Sequence, residues 1–99
     1  MTRISVGRAG AAWQLAVEGH AQYNPGGPDI VCGAASMLCC ALGRALAECG
    51  EVRIVRGPGA YELTAWPRSE REWGMIRVAE MGFEMLAEKY PRNVEICGQ

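Results

Sequence analysis

The chain's single histidine, His20, and the first of its five cysteines, Cys32, bound one unusual segment. It reads Gly19-His20-Ala21-Gln22-Tyr23-Asn24-Pro25-Gly26-Gly27-Pro28-Asp29-Ile30-Val31-Cys32. Cysteine attacks as its thiolate, and a neighbouring imidazole can take the thiol proton and hold it as imidazolium. Such a pair is the minimal apparatus for cleaving a peptide bond through an acyl-enzyme. Asp is a preferred N-cap, so a helix opening at Asp29 would put Cys32 in its first turn, where the macrodipole favours negative charge. The amides of Cys32 and Gly33 at that helix start are the expected oxyanion donors. Asp29 itself has two readings, as a cap for the amides behind it or as a third group orienting His20. Ser36, one helical turn beyond Cys32, could bond near the thiol or the loop, or back to a helix carbonyl.

Each residue also has an ordinary reading. A cysteine at a helix start can be a small buried apolar group, a lone histidine a satisfied polar one, and a Gly/Pro loop a mere connection. Metal binding is poorly matched: there is no C-x-x-C pair, and adjacent Cys39 and Cys40 point to different helix faces. Cys39, Cys40, Cys49 and Cys97 are read as packing residues. No metal and no cofactor is expected.

The elements around the segment must hold the pair together. Thr2 to Val6 and Ala11 to Gly19 alternate, around a turn at Gly7-Arg8-Ala9-Gly10, and predict a β-hairpin. His20 to Asp29 is a loop, because two Gly and two Pro in ten residues continue neither strand nor helix. A helix then runs from Asp29 to about Cys49, with Gly50 as its stop. Ile30, Ala34, Met37, Leu38, Ala41, Leu42 and Ala45 share one of its faces, but the other face is hardly polar, which predicts burial on more than one side. Glu51 to Arg56 and Ala60 to Trp66 form a second hairpin around Gly57-Pro58-Gly59. Ser69 and Glu72 form a capping box for a second helix to about Tyr90, with Met75, Met81 and Met85 read as further packing residues or, for some of them, the lining of a groove. Val94 and Ile96 suggest a last strand. The fold class is α/β (α+β): a two-layer sandwich in ββαββαβ order, with two helices on one mixed or antiparallel sheet, as a single domain over 1–99.

Composition narrows the function. Ten basic against eleven acidic residues give a net charge of −1, without the surplus that nucleic-acid binders use. An odd cysteine count fits poorly with a closed disulfide framework. The N-terminus has no signal-type apolar run, and the stretch Ile30 to Leu42 is too short to span a bilayer. The expected location is the cytoplasm, with reduced thiols.

The run Gly19-His20-Ala21, then Tyr23, then Gly27-Pro28-Asp29-Ile30-Val31-Cys32, then Ala34-Ala35-Ser36, resembles the ribosomal-processing cysteine protease family known as Prp. The resemblance extends over the whole chain in element order; the His-to-Cys segment is its specific part. It implies a dyad of His20 as base and Cys32 as nucleophile, with Gly19, Asp29 and Ser36 in support. It also implies that Tyr23, Gly26 and Gly27 belong to a substrate loop that moves, hinged at the two glycines, when peptide binds. The substrate it implies is the N-terminal extension of a large-subunit ribosomal protein, cut after an aromatic residue, and the assembly it implies is a homodimer. Pro25 and Pro28 around the glycines, and Gly33 where Ala is common, depart from the usual pattern. Two other readings are a non-catalytic ribosome-associated module of the same fold, and a thiol redox or metal protein.

Overall fold

The structure, a computed structural model, describes residues 1–24 and 26–97. Alternating apolar and polar residues produce five strands, β1 (Thr2–Ala9), β2 (Ala12–Glu18), β3 (Val52–Gly57), β4 (Ala60–Ala65) and β5 (Val94–Cys97), of which β3 covers its inner face only in part. The helices are α1 (Ile30–Cys49) and α2 (Glu70–Lys89), which completes the ββαββαβ order. The sheet runs β3-β4-β2-β1-β5, antiparallel throughout except for the β1–β5 pair. Ile4, Trp13, Leu15, Leu63 and Val94 point from it into the core, where they meet Val31, Cys39, Leu42 and Leu46 of α1 and Ile76, Ala79 and Phe83 of α2. Arg3, Gln14, Glu62 and Glu95 alternate with them and stay exposed.

Several local expectations are corrected. The first turn lies later than Gly7–Gly10: Gly7 pairs with Gln14, β1 continues to Ala9, and Gly10 turns the chain at φ +62°. Gly50 ends α1 with extended rather than left-handed backbone (φ −172°). Glycine suits it because a Cβ there would lie 3.0 Å from the Glu72 carboxylate. In the capping box, Glu72 N–H donates to Ser69 Oγ at 3.2 Å, while the Glu72 carboxylate accepts from the Ser69 hydroxyl and the Arg68 amide. The inward face of α1 is Val31, Ala35, Cys39, Leu42, Gly43 and Leu46, whereas Ile30 and Met37 lie on the outside, Met37 at 68% exposure. In a helix apolar nearly all round, periodicity does not fix which face turns inward. Met81 and Met85 of α2 are exposed as well, together with Val78.

At 20 residues and a mean hydropathy of 1.8, α1 is long and apolar enough, by length and composition alone, to cross a membrane, contrary to the reading of its shorter core stretch. Its inward face is instead committed to the sheet and α2.

Candidate active site

β2 ends at Glu18, and two constraints require glycine at the next residue, Gly19. Its φ is +88°, and an added Cβ would collide with the Met1 carbonyl. This bend releases His20 from the sheet. The Gly19 amide donates to the Gly59 carbonyl, and the terminal amino group of Met1 donates to the His20 carbonyl at 2.6 Å. His20 is thus fixed at its backbone, while its side chain is exposed and lies against Gly59: a Cβ on that glycine would sit 3.0 Å from His20 Nε2. Gly59 is a site residue that reading along the chain missed. Its only local signal is a Gly-Pro-Gly turn, and nothing in that turn announces which side chain will rest on it.

Cys32 is positioned from the other side, by the start of α1. Asp29 is the N-cap; its Oδ1 accepts from the amides of Val31 and Cys32, both at 3.0 Å, and its Oδ2 from Tyr23 at 3.0 Å. These amides, the Cys32 amide first, hold the carboxylate below its ordinary range, partly opposed by desolvation. Both oxygens are engaged by backbone, and no hydrogen bond reaches His20, so capping is the role the geometry displays. The expected oxyanion donors are occupied too: the Cys32 amide by Asp29 Oδ1, and the Gly33 amide by the Asp29 carbonyl at 3.0 Å. The cap and the first helical bond consume the donors that make a helix start attractive to anions.

The Asp29 carboxylate has a lowered folded pKa, so its stabilisation is complete above the unfolded value of about 3.9 and vanishes as pH falls through the lower folded value. Asp29→Ala is therefore expected to lower the melting temperature at pH 7 and to converge with the unmodified chain in strong acid. Thermal scans between about pH 2 and 7 check this; a gap that persists unchanged at the acid end would refute it.

The two sides meet at one short contact. The Ala21 N–H donates to Cys32 Sγ at 3.2 Å, and the Ala21 carbonyl accepts from Asn93 Nδ2 at 2.9 Å. The residue after His20 is buried and bonded at both ends, which sets the distance between the two reactive groups. This contact ties the sulfur of the helix start to the backbone that carries His20. His20 and Cys32 line the same cavity of about 260 Å³, with Ser36, Cys40, Arg56 and Tyr61 also on its walls. No hydrogen bond joins imidazole to sulfur in this structure, and the Ser36 hydroxyl forms none among the described residues.

The loop between them is folded on itself. Gly27 N donates to the Asn24 carbonyl, Asn24 Nδ2 to the Pro28 carbonyl, and the Tyr23 ring meets Tyr90 edge-on at 5.2 Å. Gly26 (φ +84°) and Gln22 (φ 56°) have left-handed backbone, of which only the first is cheap. Of the two prolines that interrupt the loop, Pro25 lies outside the described residues.

The other cysteines separate by environment. Cys39 is buried, and desolvation, with the Cys40 charge behind it, pushes its thiol up to about 12. It is a packing residue, as expected. Cys40 is exposed, contrary to that reading, because it faces the cavity from α1.

A larger cavity, about 590 Å³, opens over β1, β2 and α2. It holds no cysteine or histidine, and most of its polar groups satisfy one another: Trp13 Nε1 donates to Glu80, and Arg77 pairs with Glu80 and Glu84, while Arg8 lies over the Trp73 ring. The smaller cavity is the one lined by a histidine and cysteines.

No curated protein sequence matches the chain. By structure it is similar to the essential ribosomal processing protease Prp of S. aureus in complex with a covalently linked product peptide, with TM-score 0.82, 16% identity and full coverage of both chains. The same protease in complex with a substrate peptide superposes with TM-score 0.81, again at 16% identity and full coverage of both. A Streptococcus mutans protein gives TM-score 0.74 at 24% identity, covering 100% of this chain and 96% of the other. These likenesses establish the two-layer fold. The family model of cysteine protease Prp matches residues 1–95, and the chain belongs to that family of cysteine peptidases.

Proposed function

We propose that this protein is an endopeptidase that removes the N-terminal extension of a large-subunit ribosomal protein, with Cys32 as nucleophile and His20 as base. The observation that carries the reading is the convergence on one cavity of a helix-start cysteine, its sulfur already accepting the Ala21 amide, and the only histidine of the chain. His20 swings from Gly59 toward the thiol and takes its proton. The thiolate attacks the scissile carbonyl, His20 protonates the leaving amine, and water then releases the acyl-enzyme. Gly19 and Asp29 position the two groups, and Ser36 lies in the cavity beside them. Tyr23, Gly26 and Gly27 belong to the loop that admits the peptide. The substrate assignment is supported by the family and by the S. aureus relative, described as a ribosomal processing protease with peptide bound.

The test is mass spectrometry of a synthetic peptide spanning the N-terminal extension of the host's ribosomal protein, incubated with the reduced protein and with Cys32→Ala. One cut after an aromatic residue, absent in the variant, is expected. An uncut peptide overturns the reading and returns the protein to a binding role, whereas equal cutting by the variant removes Cys32 as the nucleophile.

The proposed working form is a cytoplasmic homodimer joined through the helix layer. Ile30 and Met37 of α1 and Val78, Met81 and Met85 of α2 are all exposed large apolar residues, with Val78 at 72%. Met37→Glu is expected to convert a dimer into a monomer in sedimentation experiments; a monomeric parent protein would refute the interface. The five unpaired cysteines favour a reducing compartment.

A further inference from the structure

β3 is an edge strand, and its hydrogen-bonding parity can be read directly. Gly57 and Ala60 close the two-residue turn Pro58-Gly59, and the ladder runs without a bulge to Val52 opposite Ala65. One step further, Trp66 N donates to the Glu51 carbonyl. Bonded pairs therefore fall at Glu51, Arg53, Val55 and Gly57. The amides and carbonyls of Val52, Ile54 and Arg56 point the other way, off the sheet, and bond to nothing among the described residues. Edge strands are usually guarded by proline, a bulge or a covering segment. β3 has no proline and no bulge, and carries only two arginines.

This open edge is continuous with the reactive cavity. Arg56 and Gly57, at its end, line the same 260 Å³ space as Cys32 and His20. A protease acting on a chain terminus must hold an extended backbone, and an unpaired strand edge supplies donors and acceptors at the matching two-residue repeat. We infer that β3 is the docking track of the substrate: the peptide adds as a sixth strand, pairing with Val52, Ile54 and Arg56, and Arg56 leads it to Cys32. This inference rests on the protease reading above. It assigns main-chain recognition to β3 and leaves side-chain preference to the cavity.

The test uses the same extension peptide, N-methylated at one residue at a time. N-methylation at alternate residues on one side of the scissile bond is expected to raise KM about three- to tenfold each, the effect of one lost hydrogen bond, while the intervening residues tolerate it. In parallel, Cys32→Ala protein saturated with the unmethylated peptide is expected to show slowed amide exchange at Val52, Ile54 and Arg56. Cleavage with a flat methylation scan, or binding without slowed exchange at those amides, overturns the track. Slowed exchange that appears without peptide and grows with protein concentration assigns the edge to a second copy, and also overturns it. An uncleaved parent peptide is a distinct result, which defeats the protease reading and the track with it.

Discussion

Cys32→Ala is expected to lower peptide cleavage at least about 10⁴-fold, the scale on which removal of a covalent nucleophile registers in other proteases. The fold should survive. Cys32 is half-buried, alanine is small and favours helix, and the N-cap bonds of Asp29 involve the Cys32 backbone rather than its sulfur. The loss on the structural side is the acceptor for the Ala21 amide. Cys32→Ser separates the two effects, since its hydroxyl still accepts that hydrogen bond but is a far weaker nucleophile at neutral pH. Both variants should be inactive, with Cys32→Ser melting closer to the unmodified protein. Cleavage by either at a tenth of the normal rate or more would remove Cys32 from the chemistry.

Gly43→Ala should destabilise the protein although alanine is the better helix former. A Cβ at Gly43 would land on the Tyr61 hydroxyl and lie 3.2 Å from Ile54 Cδ1. Tyr61 is buried, and its hydroxyl has no hydrogen-bond partner among the described residues; desolvation accordingly raises its pKa. Overpacking of this kind costs about 1–3 kcal/mol, against the gain of up to about 1 kcal/mol from replacing glycine in a helix. Tyr61→Phe removes a buried hydroxyl that bonds to nothing, so it should leave stability unchanged or raise it by up to about 1 kcal/mol. In that background Gly43→Ala loses its main obstacle and should become neutral or stabilising. Denaturant melts of the two single variants and the double variant close the cycle. Equal cost of Gly43→Ala in both backgrounds would show that the hydroxyl is not what excludes the methyl group.

The sequence by itself determined the element order, the capped starts of both helices and the His20–Cys32 segment. The reason is that these are local. Alternation marks β1, β2 and β4, Asp29 and Ser69 have cap chemistry within three residues, and two Gly and two Pro forbid regular structure between His20 and Asp29. Only the tertiary structure decided the rest. The inward face of α1 depends on which of several apolar stripes meets the sheet, and Ile30 and Met37 lost to Val31, Ala35 and Cys39. The fate of the Cys32 and Gly33 amides turned on their use by Asp29, and the role of Gly59 on the packing of a turn about forty residues downstream against His20. The parallel β1–β5 pair brings Asn93 to the Ala21 carbonyl, and the sheet order leaves β3 at an edge beside the nucleophile. Apart from the bonds to Asp29, which are local but compete with the oxyanion role, each of these is a contact between residues far apart in the chain, where no spacing or periodicity carries a signal.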